Sequence, residues 1–156
     1  MPGMTDWTTL AAAMAAEATA TDKQEFGSFF LLRLLGMAVS YEGDACIVQF
    51  DATPGLANPR GTLHGGVLAT AMDISMGHLL QRTAGAGATV EMKVQYMAAV
   101  TDGPVRCTGS FLRRGRSICF MQSLATGADG SSVAHATATW RVLPSSPSPA
   151  GGRGPG

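Results

Sequence analysis

The sequence predicts an α+β domain in which one long apolar helix lies on a curved antiparallel sheet. Three observations lead there. Residues 67–80, VLATAMDISMGHLL, are apolar almost throughout and have the length of a buried helix. Two strand-like runs precede this stretch and four follow it. The links between runs are mostly short and turn-rich, which makes neighbouring strands antiparallel. A single apolar helix on such a sheet is a two-layer α+β arrangement.

The elements follow in chain order. Residues 5–20, TDWTTLAAAMAAEATA, read as an alanine-favoured helix capped by Thr5 or Asp6. Its apolar side (Trp7, Leu10, Met14 and Ala11) is weak, so residues 1–24 are expected to form a surface or lid-like helical extension. The main domain is then residues 25–143. Residues 29–39, FFLLRLLGMAV, show no clear period. They are read as an approach followed by a strand over 34–41, with Gly36 as a bulge. Glu42-Gly43-Asp44 forms a turn into a strand over 45–50. Pro54, Gly55, Asn58 and Pro59 mark an irregular loop before the helix. The helix is expected to end near 81–83, with Gly85 and Gly87 as stop signals. Residues 89–97 alternate, setting Val90, Met92 and Val94 against Glu91, Lys93 and Gln95. Strands over 105–113 (broken by Gly109), 117–126 and 132–143 complete the sheet. Residues 144–156 are Pro/Gly/Ser-rich and are expected to be a disordered tail.

Composition narrows the function. Eleven basic and eleven acidic side chains give zero net charge, which argues against broad binding to nucleic acid or a membrane surface. Charged residues are only 14% of the chain and apolar residues 46%, more hidden surface than a monomer of one domain needs. Self-association is the expected consequence. Cys46, Cys107 and Cys119 stand far apart in apolar contexts, which points to reduced, buried thiols and a cytoplasmic location. His64, His78 and His135 have no metal-ligand spacing with Cys or carboxylates, so no metal is expected. No secretory signal or membrane span is evident.

The chemistry concentrates at the helix. Asp73 is a lone carboxylate amid apolar neighbours, which is costly unless the group is paired or used. The helix starts just after His64-Gly65-Gly66, so its first N–H groups are available to an oxygen bearing negative charge. Gly65 and Asp73 are eight residues apart, or about 12 Å along a helix axis. One carbonyl polarised at the Gly65 N–H therefore lies out of reach of the same chain's Asp73. If both act on one bond, Asp73 must come from a second copy whose helix runs antiparallel about a two-fold axis. Each residue also has a purely structural alternative. Asp73 can bond to Ser75, Thr70 or backbone; the paired glycines can simply allow a tight turn; His64 can cap; Asn58 can serve a turn. Arg113-Arg114-Gly115-Arg116 is either a solvated hairpin or a phosphate clamp.

As a set, Asn58-x-x-Gly61-x-Leu63-His64-Gly65-Gly66, then Asp73, then Thr89-Val90-Glu91-Met92, then Arg-x-Gly-Arg resembles the hotdog-fold acyl-CoA thioesterases, most of all their phenylacetate-pathway (PaaI-like) branch. The resemblance covers about residues 25–143 and implies a hotdog fold with dimers or dimers of dimers. It implies that Gly65 N–H holds the thioester oxyanion, and that Asn58 orients the carbonyl or the attacking water. The partner's Asp73 would act as general base or as nucleophile. By the same resemblance His64 positions the loop, Thr89 holds the water, and Gly66, Arg113, Arg114, Gly115 and Arg116 contact coenzyme A. The expected activity is acyl-CoA hydrolysis with no cofactor, since coenzyme A is part of the substrate. A non-catalytic acyl-CoA sensor or carrier, and an enoyl-CoA hydratase or dehydratase, are the alternatives on this fold. Met72, Met76, Met92, Met97 and Phe111 are candidates for the acyl pocket or for plain core packing.

Overall fold

A computed structural model describes residues 6–20 and 23–145. The reading of 146–156 as a disordered tail, and of Thr5 as a cap, falls outside these residues. In chain order the elements are α1 (Trp7–Thr19), α2 (Phe30–Leu34), β1 (Ala38–Glu42), β2 (Ala45–Ala52), α3 (Gly65–Ala84), β3 (Gly87–Tyr96), β4 (Gly103–Arg114), β5 (Ile118–Thr126) and β6 (Ser132–Val142). The six strands form one antiparallel sheet in the order β1-β2-β4-β5-β6-β3. This is the expected α+β layer, with a long central helix wrapped by the sheet. After α3 the chain crosses to the far side of the sheet, so β3 pairs with β6 and forms an edge.

The length of α3 follows from its two ends. His64 is the N-cap, and its Nδ1 accepts the Gly66 N–H at 2.9 Å. Gly85 ends the helix with φ of 93°, a conformation that glycine adopts without a Cβ penalty. Between them Leu68, Met72, Met76, Leu79 and Leu80 are buried against strand residues such as Val48, Val105, Cys107 and Met121. A stripe with wider exposure runs along the other side through Gly66, Thr70, Asp73 and Gly77. It consists of small or polar residues at helical spacing. Its Thr70 bonds to Gly66 O, and the buried Ser75 bonds to Met72 O and to Ser123 Oγ.

The structure differs from the sequence reading at three glycines and one valine. Residues 34–41 are not one strand. α2 ends in a Schellman turn, in which Met37 N–H reaches Leu32 O and Gly36 N–H reaches Arg33 O. Gly36 supplies the positive φ of 66° for that turn rather than a bulge. Met14 of α1 packs onto it, so the weak apolar side of α1 docks over α2 and Leu56. Gly109 does not break β4: it lets the strand approach α3, since an added Cβ would stand 2.6 Å from the Ser75 backbone. Strict alternation fails in β3, where a bulge between Thr89 and Glu91 leaves Val90 58% exposed. Gly87 stays within the strand, close against Leu80 and the Arg141 carbonyl. All three cysteines are buried and free, as expected. Burial pushes the Cys46 and Cys107 thiols up to about 12, which removes them as nucleophiles near neutral pH.

Gly109→Ala should lower stability by about 1–3 kcal/mol, because the methyl forces β4 and α3 apart. A urea melt with an unchanged midpoint would mean that this contact is looser than the structure shows.

Candidate active site

The loop before α3 is built around Asn58. Its Oδ1 accepts the Arg60 N–H at 2.9 Å and the Thr62 N–H at 3.4 Å, and its Nδ2 donates to Thr62 Oγ1 at 2.9 Å. Asn58 is thus an Asx-type loop organiser, with one amide hydrogen left over. The His64 backbone N–H is fixed to Leu56 O at 2.9 Å, which anchors the start of α3. Asn58 and Gly65 border one cavity of about 350 Å³, together with Leu68, Tyr96 and Met97. Gly65 is the first residue of α3, where its N–H lies beyond the reach of intrahelical acceptors. The Tyr96 hydroxyl donates to Gly65 O at 2.7 Å, and its ring lies so close that a Cβ at Gly65 would sit 3.2 Å from it. A side chain at Gly65 would have to displace the Tyr96 ring by a few tenths of an ångström, and the Tyr96 bond braces the first turn of the helix.

Asp73 borders a different cavity, of about 330 Å³, with Phe26, Phe29, Gly77, His78 and Trp140. It is half-buried. Burial pushes its carboxyl above the usual range, and a 2.9 Å hydrogen bond from Thr89 Oγ1 partly offsets this. Thr89 stands at the edge of the β3 bulge, beside Trp140 of β6. Gly77 lets the Trp140 ring close on the helix, since a Cβ there would come within 2.8 Å of it. Asp73 therefore pairs with Thr89 rather than with Ser75 or Thr70.

Arg113, Arg114, Gly115 and Arg116 border a cleft of about 590 Å³ with Ala84 at the C-terminal end of α3. A bulge between Phe111 and Arg113 turns the end of β4, and Arg114 reaches the Thr83 carbonyl. A cation there also suits the negative end of the helix. Gly115 is obligatory, because a Cβ would meet Ile118 O at 2.2 Å.

The structure therefore brings Asn58 to Gly65, and Thr89 to Asp73, while the arginines form a third site. Within one chain it does not bring Gly65 to Asp73. Of the candidate pocket residues, Met72 and Met76 are fully buried core and Met92 packs on that core. Met97 does line the Gly65 cavity, whereas Phe111 lines a cleft with Arg82 and Tyr41. Tyr96, His78, Phe26, Phe29 and Trp140 were not singled out from the sequence. Gly77 inside an apolar helix was the one local signal for this cavity, because glycine is unfavourable there unless something packs close.

Residues 60–134 match the model of the thioesterase superfamily. The chain has the hotdog fold, and over this stretch it is similar to the thioesterase superfamily. It is similar to a Saccharolobus solfataricus protein bearing an esterase name, with 27% identity over 107 residues, 67% of this chain and 76% of the relative. Among solved structures, a conserved protein of Pseudomonas aeruginosa is 29% identical over 72% of this chain and 93% of its own, with a TM-score of 0.68. A Bacillus halodurans protein solved with CoA matches 93% of this chain and 99% of its own at a TM-score of 0.80 and 19% identity. At that identity it supports the fold alone. Among the described residues, no helix is long and apolar enough to cross a membrane.

Because Asp73 carries a raised pKa, its burial favours folding while the group is neutral at low pH. The ionised form becomes a net cost as pH rises through the folded-state value. Asp73→Asn should therefore raise Tm at pH 7 and lose that advantage near pH 4. A Tm difference that stays constant between these pH values would contradict the burial cost.

Proposed function

We propose that this protein hydrolyses acyl-CoA thioesters at sites shared between two copies of the chain. The observation that carries the reading is the split of the chemistry. Gly65 and Asn58 border one cavity of a protomer, and Asp73, bonded to Thr89, borders another, with Gly65 and Asp73 about 12 Å apart along α3. An antiparallel second helix, laid against the Gly66–Thr70–Asp73–Gly77 stripe, unites them twice in a symmetric dimer. The β3 edge, with its exposed Val90 and Tyr96, runs beside this stripe and offers unpaired backbone for the same partner.

In this arrangement the Gly65 N–H polarises the thioester carbonyl and holds the oxyanion as it forms, aided by the positive end of α3. Asn58 has one amide hydrogen left to orient the carbonyl or the water. The partner copy's Asp73 takes a proton from water as the oxygen adds to the carbonyl carbon. Collapse of the intermediate breaks the C–S bond and releases the CoA thiolate and the carboxylic acid. Direct attack by Asp73 to give an anhydride, opened afterwards by water, uses the same geometry. The Thr89 hydroxyl favours the ionised carboxylate that either route needs. His64 acts indirectly, by capping the helix that carries Gly65.

The arginine cleft adjoins Ala84, eleven residues beyond Asp73 and so about 16 Å along the helix. This is a separation that an extended pantetheine arm can bridge, with CoA phosphates on Arg113, Arg114 and Arg116. The motif set favours the PaaI-like branch. Buried reduced thiols suit a reducing cytoplasm.

Asp73→Asn should lower kcat by about 10²–10⁴-fold across an acyl-CoA panel while leaving CoA affinity within a few-fold. Turnover at the wild-type rate by a homogeneous sample would remove Asp73 from the mechanism. The acid limb of wild-type kcat should lie above the ordinary carboxylate value of about 4, because burial raises Asp73. Thr89→Val, which deletes a bond to the anion, should move that limb to still higher pH. A limb that stays in place would show that Thr89 does not tune the carboxylate.

A further inference from the structure

One buried titratable group has no part in the proposed hydrolysis. His78 lies on α3 five residues beyond Asp73, is 4% exposed and borders the same cavity. Its Nε2 accepts the Gly27 N–H at 2.8 Å, while its ring also hydrogen-bonds the Ile74 backbone. A ring nitrogen that accepts an amide N–H has its lone pair free, so the imidazole is neutral with its proton on Nδ1. Burial favours this state by pushing the pKa below the ordinary histidine value, and the Ile74 bond only partly opposes it.

Gly27 belongs to a built segment rather than a loose connection. Its φ of 82° sets a turn, closed by Ser28 N–H to Glu25 O at 2.9 Å. Gln24 Oε1 accepts the Phe30 N–H at 2.9 Å. From below, the Arg33 guanidinium gathers the carbonyls of Ser28, Lys23 and Ala18. On the cavity side Phe26 meets the His78 ring edge-on at 4.9 Å, and Phe29 lies at 6.0 Å. Both phenylalanines border the cavity beside Asp73. The Gly27–His78 bond is thus the polar tie between this aromatic wall and the helix that carries the carboxylate.

We propose that the cavity beside Asp73 is the acyl subsite and that His78 is its positioning residue, pinning the Phe26–Phe29 wall by accepting the Gly27 N–H. The proposal rests on the thioester reading and adds to it the element that discriminates acyl groups by size. The cavity has the volume of a small-molecule site and mainly apolar walls. A two-carbon acyl group offers the wall far less apolar surface than a ring or longer chain does. Loss of the tie therefore weakens large acyl groups selectively. Among the described residues bordering the cavity, Asp73 on α3 and Glu25 on the wall are the other titratable groups; β3 and β6 contribute Gly87 and Trp140. Protonation of His78 removes the acceptor for Gly27, so the wall loosens at a pH below the ordinary histidine range. Asp73 titration acts differently, lowering kcat for every acyl group alike.

The test compares acetyl-CoA with phenylacetyl-CoA on the full chain. His78→Leu should raise KM for phenylacetyl-CoA about 10-fold relative to acetyl-CoA, with kcat changing less. His78→Gln, whose amide oxygen can accept the Gly27 N–H, should recover most of the loss. Phe26→Ala, at a position 62% exposed and so tolerant of truncation, should shift the same ratio in the same direction. In wild type the ratio should worsen on acidification, and in His78→Gln it should not. Equal effects on both substrates in His78→Leu and Phe26→Ala would overturn the proposal. Calorimetric titration of acyl-CoA and CoA into Asp73→Asn, with and without His78→Leu, separates the two readings. Acyl-dependent affinity that His78→Leu weakens supports the wall even if wild type hydrolyses nothing, an outcome that would overturn the hydrolysis alone. Hydrolysis without any such acyl-dependent loss would overturn the wall alone.

Discussion

The structure depends on holding one carboxylate half-way out of water on the side of a helix that must otherwise be buried. Asp73 lies on the one stripe of α3 that the sheet leaves partly open. Full burial would drive the group neutral, and full exposure would return it to an ordinary carboxylate. Several local features fit this intermediate position. The β3 bulge brings Thr89 to the carboxylate, and Gly77 lets Trp140 close the cavity beside it without lifting the strand. Small residues on the same stripe leave room for a second helix.

The second constraint is length. A helix of twenty residues is about 30 Å long, so its polarising end, its carboxylate and its arginine cleft are three separate places. Each has its own local framework: the Asn58 loop and Tyr96 at the start, Thr89 and the aromatic wall at the middle, the bulged β4 end at the finish. A reaction that uses all three on one thioester needs two helices. Under the proposed function, oligomerisation is a condition of the chemistry rather than an addition to it. The crossover that puts β3 at the sheet edge leaves the strand nearest this stripe with free backbone groups.

Much of this was legible in the residues, for identifiable reasons. The long apolar helix, the hairpins and the six strands are written in local hydrophobic pattern and turn chemistry. The spacing of Gly65 and Asp73 is a helix property, so their separation of about 12 Å within one chain follows from residue numbering alone. Three of the four misreadings share one cause. Gly87, Gly109 and Val90 each took their meaning from a partner distant in sequence: the Arg141 carbonyl, the Ser75 backbone, and the register with β6, whereas Gly36 closes a local Schellman turn. A local pattern shows that a glycine relieves crowding or permits a turn, without showing which neighbour requires it.

What the sequence by itself determined is the layer architecture, the helix with its capped and glycine-flanked ends, and the identity of the carboxylate. These follow from interactions between residues close along the chain. What only the tertiary structure decided is the company each group keeps. Thr89 rather than Ser75 or Thr70 holds Asp73, Tyr96 braces Gly65 across 31 residues, and His78 ties down Gly27 across 51. Such pairings arise when non-adjacent segments pack against one another. Their choice depends on the summed burial of both surfaces, which no short stretch of chain contains.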